Sequence, residues 1–233
     1  MTHSRDMHDP KTIRDVLAHL AAQADSDREL MIAAHDFVRD SIRFGFTARF
    51  DDVTPQMTLE RRLGHCNPQA DLLRAMLAEA GFEARLKFVG LDKRLLRGAT
   101  AEPVYRLLPA HVSHALLEVR GEGGWIELDS YIFPPDMLRR RRARLAQAGL
   151  PCGFGTFEGA SPVWDGDSPA YSQAAPAYVL PDSCAVYRSL AEFVREGGGD
   201  NRLLGVPFWR WMWPLRMWPA SRLVEGVLNA SRA

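Results

Sequence analysis

Cys66, His114 and Asp129 are the residues of this chain whose types and order suit covalent chemistry on acyl carbons. A cysteine attacks as a thiolate, and a free thiol ionises only near a pKa of about 8.5. Cys66 is placed for help, because it immediately precedes a helix start: Asn67 suits an N-cap and Pro68 the first helical position. Unpaired N–H groups and the dipole at a helix N-terminus favour an anion. An adjacent imidazolium adds to that effect, and His114 is the candidate. Asp129 would hold the imidazole in one tautomer and stabilise its charged form. The backbone N–H of Cys66 and of a neighbour would donate to an oxyanion. Such a set attacks amide or ester carbonyls through a thioester and requires no metal or other cofactor.

The reason to expect His114 and Asp129 together is a hairpin. Ser113–Val119 and Trp125–Asp129 read as strands around a Gly-rich turn. With Arg120–Gly123 as a four-residue loop, Val119 opposes Gly124 and His114 falls directly opposite Asp129. One face then carries Ala115, Leu117, Val119, Ile126 and Leu128, all apolar, and the other His114, Leu116, Glu118, Trp125, Glu127 and Asp129. A one-residue slip would bury the charges, so the apolar face sets the register. Glu118 and Glu127 share the His114 face and are alternative acids, but neither lies opposite the base. His111 competes with His114 and by strand alternation needs a bend to reach Asp129. His65 reads as an exposed polar loop residue, and Cys152 and Cys184, with no base pattern downstream, read as structural.

Other elements must position these groups. Ile13, Val16, Leu17 and Leu20 mark a helix over Lys11–Ala24, and a second runs from Arg28 to Asp40 with Leu30, Ile32, Ala33, Phe37 and Val38 as its buried stripe. Ser41–Phe46 is a short strand or extended arm, Thr47–Pro55 a loop and Thr58–Leu63 a helical turn. The nucleophile helix buries Ala70, Leu73, Leu77 and Ala80, widened by Leu72 and Met76, and stops at Gly81. Ala84–Val89 is a strand, Leu91–Ala110 has no clear period, and Asp136–Gln147 is a helix carrying Arg139 to Arg142, read as a solvated face. Pro151–Pro181 is a long ordered loop, and Ala185–Glu196 a helix.

The stretches Val38–Phe44, Leu63-Gly64-His65-Cys66, Gly81–Arg85, His114–Val119 and Trp125–Asp129 together resemble the transglutaminase-like superfamily over roughly residues 37–131. The resemblance implies an α+β, papain-like core, a nucleophile helix on a small antiparallel sheet. It implies Cys66 as nucleophile, His114 as base and Asp129 as orienting acid. It departs at Leu116, where the family often has an aromatic residue, and at Asn67, where it often has Asp. The domain organisation expected is one structural domain: an N-terminal helical segment over residues 1–36, a catalytic core over 37–133, and an extension over 134–233 packed on it. The activity implied is acyl transfer on a peptide, protein or small amide, with hydrolysis favoured; an amide-forming acyltransferase and a non-catalytic binding protein are the alternatives.

Composition agrees. The chain has 233 residues, 46% hydrophobic and 25% charged, which suits one globular domain. A formal net charge of +0 gives no sign of a nucleic-acid partner. No apolar run is long enough to span a bilayer, and Met1–Pro10 lacks the apolar stretch of a secretory leader. Three scattered cysteines fit a reducing compartment, so a cytoplasmic location is expected. The Trp-rich stretch Phe208–Trp218 suits packing against the domain or a partner over membrane contact, since Pro214 interrupts an amphipathic helix.

Overall fold

The structure, a computed structural model, describes residues 11–99, 102–181 and 183–211, together with residues 225 and 229. Its centre is the helix Cys66–Glu79. Helices α1 (Ile13–Ala21) and α2 (Asp27–Ser41) pack on it from one side. Each starts at a hydroxyl cap: Thr12 accepts from Asp15 N at 3.1 Å, and Ser26 from Glu29 N at 3.2 Å. The buried stripe of α2 is Met31, Ala34, His35 and Val38, one helical face, and not the expected stripe of Leu30, Ile32, Ala33 and Phe37 beside Val38. Reading only apolar residues hid this, because His35 occupies a core position. Its ring is satisfied there by Asp36 Oδ1 at 2.8 Å and Ser130 Oγ at 2.7 Å.

Strand β1 (Arg43–Phe44) runs parallel to β2 (Leu63–Gly64), with α3 (Pro55–Arg61) between them in sequence. This pairing delivers the chain into α4 (Cys66–Glu79). At the crossing the chain passes close to other side chains, and a Cβ on Gly45 would lie 2.7 Å from Asn229 Oδ1 and 2.8 Å from Leu63 Cδ1, so both side chains would have to shift. On α4, Leu72, Leu73, Met76 and Leu77 are fully buried. Burial of such side chains is worth roughly 1.5–3 kcal/mol each, which fixes the helix firmly. Gly81 ends it with φ +94°, as its position predicts.

Strand β3 (Ala84–Asp92) leads through the short helix α5 (Glu102–Leu107) to β4 (His111–Gly121) and β5 (Gly124–Leu128). The antiparallel sheet has the order β5-β4-β3-β8, where β8 is Ala185–Tyr187. Leu86, Phe88, Ala115, Leu117, Val119, Ile126 and Leu128 form one core with α4. The apolar face is the expected one, but the hairpin is tighter: Gly121 pairs with Gly124, and Val119 with Ile126. The register is therefore displaced by two residues from the four-residue-loop expectation. An even displacement leaves every side chain on its face, so the apolar pattern could not detect it.

The other face is covered as well. Helix α6 (Pro135–Ala148) precedes a small hairpin, β6 (Cys152–Gly153) with β7 (Thr156–Phe157), and a long loop returns to the sheet, where Ala170 bridges Leu128. Leu116, Val89, Leu91, Leu95, Cys152 and Ala174 make a second small core beneath it. The basic run on α6 is not uniformly solvated. Arg139, Arg140 and Arg142 are exposed, whereas Arg141 is buried over the Phe133 ring, 4.4 Å from its centroid, and donates to the Phe154 carbonyl. The predicted helix at Ala185–Glu196 is instead β8 followed by α7 (Leu190–Arg195), which starts at the Ser189 cap. The strands β9 (Arg202–Leu203) and β10 (Val206–Pro207) then lead to α8 (Phe208–Trp211). Most of the Trp-rich stretch, from Met212 onward, lies outside the described residues. Among the described residues no helix is long and apolar enough to cross a membrane.

Candidate active site

Cys66 is the first residue of α4, with His65 as its N-cap, two residues earlier than the Asn67 cap expected. Pro68, third in the helix, has no N–H to lose there. The N–H groups of Cys66 and Asn67, in the first turn, have no intrahelical acceptor. They point from the helix end as donors for an anion. The Cys66 side chain is half-buried, and its sulfur lies 3.4 Å from Asn67 Oδ1.

His114 is buried in β4 and its Nε2 lies 2.8 Å from Asp129 Oδ2. Asp129 is not directly across the ladder. It follows the last residue of β5, diagonal to His114 on the same face, and closes the distance by leaving the strand. With Nε2 engaged by Asp129, Nδ1 is the ring nitrogen left free for Cys66, whose charge acts on the imidazole. The three side chains named from the sequence are thus brought together.

Burial alone would push the His114 pKa down. The charge of Cys66, the hydrogen bonds to Asp129 and Cys66, and the charge of Asp129 outweigh it, raising the imidazole to about 10. Tyr131, fully buried nearby, is held well above the usual phenol range by burial, then by the charges of Asp129 and Cys66, and stays a neutral neighbour.

The carboxylate of Asp129 is held by backbone that the sequence did not single out. Oδ1 accepts from Ser172 N at 2.5 Å, and Oδ2 from Ala174 N at 2.8 Å, with Gln173 N between them. Ser172 Oγ also donates to the Asp129 carbonyl at 2.8 Å. These donors come from the loop after β7, more than 40 residues on in sequence. A main-chain nest has no side-chain signature, so only the length of the Pro151–Pro181 loop hinted at a task for it.

The alternatives do not join. Glu118 pairs with Arg85 at 2.5 Å, and Glu127 pairs with Lys87 and accepts from Tyr171 Oη at 3.3 Å. His111 opens β4 opposite Asp92, on the other face from His114. His65, expected to be exposed, is buried and packs at a tilt against Phe46 and Phe50, 4.8 and 4.5 Å between centroids. The main chain that carries Phe46 is pinned from far down the chain. Asn229 accepts from Phe46 N and donates to Phe46 O, both at 2.9 Å, and Glu225 accepts from Ala48 N at 2.8 Å. Among the described residues no group of three or more His, Cys, Asp or Glu side chains could hold a metal ion.

A helix opening on a cysteine, set against an antiparallel sheet that carries a His–Asp pair, defines a class of cysteine-dependent acyltransferase- and protease-like proteins. A family model described as the transglutaminase-like superfamily matches residues 14–130, and the chain belongs to that superfamily. Comparisons with curated proteins and with solved structures find no match.

Proposed function

We propose that this protein is a cysteine-dependent acyl-transfer enzyme with a papain-like arrangement, in which Cys66 is the nucleophile, His114 the proton carrier and Asp129 its orienting acid. The observation that carries the reading is the His114 imidazole. It is bound at Nε2 by Asp129 at 2.8 Å, and the charge of Cys66 is the strongest influence that holds its proton.

In the proposed cycle the pair reacts as thiolate and imidazolium. The sulfur attacks an amide or ester carbonyl, a C–S bond forms, and the carbonyl electrons move to oxygen. The first-turn N–H groups of α4 receive that oxyanion. As the intermediate collapses, the C–N or C–O bond breaks and His114 gives its Nδ1 proton to the departing amine or alkoxide. Neutral His114 then takes a proton from water, which attacks the thioester. Collapse expels the thiolate, and the imidazolium is restored with release of the acid. Asp129 does not change its charge in this cycle; it fixes the ring and stabilises the imidazolium.

Hydrolysis is favoured because the cycle needs only water as acceptor. The same thioester passed to an amine would make the protein an amide-forming acyltransferase. We take residues 37–133 as the core that carries the three side chains, with α1 and α2, which begin in the 1–36 segment, packed on it and residues 172–174 of the 134–233 extension completing the acid's nest. A peptide, protein or small amide is the substrate class, and the reaction belongs in a reducing compartment such as the cytoplasm, which keeps Cys66, Cys152 and Cys184 as the free thiols they are.

The test is acid-quenched intact-mass analysis after mixing with an activated acyl ester. An acyl adduct on the wild type, absent from Cys66→Ala, is expected, and its loss to added amine rather than to water would mark transfer. No adduct, or an adduct that survives in Cys66→Ala, would overturn the reading.

A further inference from the structure

We propose that Asp51 is a positioning residue that sets the register between the sulfur of Cys66 and the imidazole of His114. The inference rests on the acyl-transfer reading above and adds to it a group outside the Cys-His-Asp set.

Asp51 is buried at 2% exposure, and its carboxylate accepts from three side chains. Oδ1 takes His65 Nε2 at 3.0 Å and Asn67 Nδ2 at 2.9 Å, while Oδ2 takes Asn201 Nδ2 at 3.3 Å. His65 and Asn67 are the two residues that flank Cys66 in the chain. The far ends of the two amides reach the flanks of the base. Asn67 Oδ1 accepts from Ala115 N at 2.9 Å. Asn201 Oδ1 accepts from Ser113 N at 3.0 Å, and its Nδ2 donates to Ser113 O at 3.1 Å. One carboxylate thereby ties both neighbours of Cys66 to both neighbours of His114.

The chemistry of the groups makes this arrangement directional. A carboxylate only accepts, so it turns the Nδ2 of each asparagine toward itself and leaves each Oδ1 for a strand N–H. The turn that presents it is strained: Phe50, the preceding residue, has φ 51°, a left-handed backbone unfavourable for a bulky side chain. Strain of this kind persists where the surroundings over-determine it, and here Phe50 is locked against His65 and Phe208, 4.5 and 5.4 Å between centroids. A buried carboxylate whose partners all lead to the nucleophile or to the base is placed to control their separation, and small misplacements of reacting groups are costly.

The experiment is the pH profile of Cys66 alkylation by iodoacetamide, read by peptide mass spectrometry on the full chain, with thermal melting alongside. Asp51→Ala loses all three bonds; its neutral-pH rate is expected to fall about tenfold and its profile to move toward that of a free thiol. Asp51→Asn, with its oxygen at the Oδ1 position, keeps His65 and Asn67 but sets an amide against Asn201. It should therefore match Asn201→Ala, and both should lie between wild type and Asp51→Ala. If Asp51→Ala does not fold, the matched displacement of the other two variants is the supporting result. Variants that melt earlier yet alkylate with the wild-type profile would make Asp51 merely structural and overturn the proposal. A wild-type Cys66 that alkylates as a free thiol would instead remove the ion pair, and with it both this proposal and the acyl-transfer reading.

Discussion

The side chain of Asn67 and the backbone of Ala115 are joined by a 2.9 Å hydrogen bond, so the residue after the candidate nucleophile grips the residue after the candidate base. The amide orientation is fixed because its other end donates to Asp51 Oδ1 at 2.9 Å. Replacing Asn67 with Asp, the residue common at this position in the superfamily, would set two buried carboxylates against each other. Asn67→Asp is expected to lose about 2–3 kcal/mol at neutral pH, part of it regained in acid as one carboxyl protonates. Urea unfolding at two pH values measures this.

The His114 imidazole is raised to about 10, after burial is outweighed by the charges and hydrogen bonds of Cys66 and Asp129. A folded pKa above the unfolded value means the folded state holds the proton more tightly. This contribution to stability is complete below about 6.5, the ordinary imidazole value, and is lost as pH rises through about 10. In the proposed cycle the proton for the leaving group is lost with it. Turnover should fall on an alkaline limb near pH 10, and Asp129→Asn should move that limb to lower pH, as measured by a pH–rate profile.

Asp129 is also a stability residue, because three consecutive backbone N–H groups of residues 172–174 end on its carboxylate. Asp129→Ala should cost about 3 kcal/mol or more, since it orphans those donors and a buried imidazolium. Its acylation rate should drop by about 10⁴, in line with loss of an orienting acid. Denaturant midpoints and single-turnover acylation read the two effects separately.

His35 shows the opposite titration. Burial lowers its pKa against the opposing hydrogen bond and charge of Asp36. Because the folded value lies below the unfolded one, the contribution is complete above about 6.5 and is lost as pH falls toward the folded value. Stability measured from pH 7 downward should decline on this slope, and the slope should be shallower in His35→Gln.

How much of this was legible depended on which physical signal carried it. The face of β4 and β5 was readable because alternation of Ala115, Leu117 and Val119 with His114 and Glu118 admits one buried side. The two-residue register error survived because it preserves that alternation. The diagonal His114–Asp129 contact arose all the same, since a carboxylate just past the strand end retains local freedom. The expected start of helix α4 falls two residues late, because Cys66 itself takes the first helical position. The polar support was invisible: Asp51 and Asn201 look like ordinary loop residues, and their meaning comes from contacts 150 positions apart in the chain. His65 and Arg141 were misplaced at the surface because a polar residue type says nothing about aromatic neighbours that bury it.

The most direct measurement is competitive alkylation of the three cysteines by iodoacetamide at pH about 6, well below the free-thiol value of about 8.5. Cys184 is exposed, Cys152 is buried and Cys66 is half-buried, so accessibility alone favours Cys184. An ion pair between Cys66 and His114 predicts that Cys66 is modified first and that His114→Ala abolishes the preference. Modification of Cys184 ahead of Cys66 in the wild type would contradict the account.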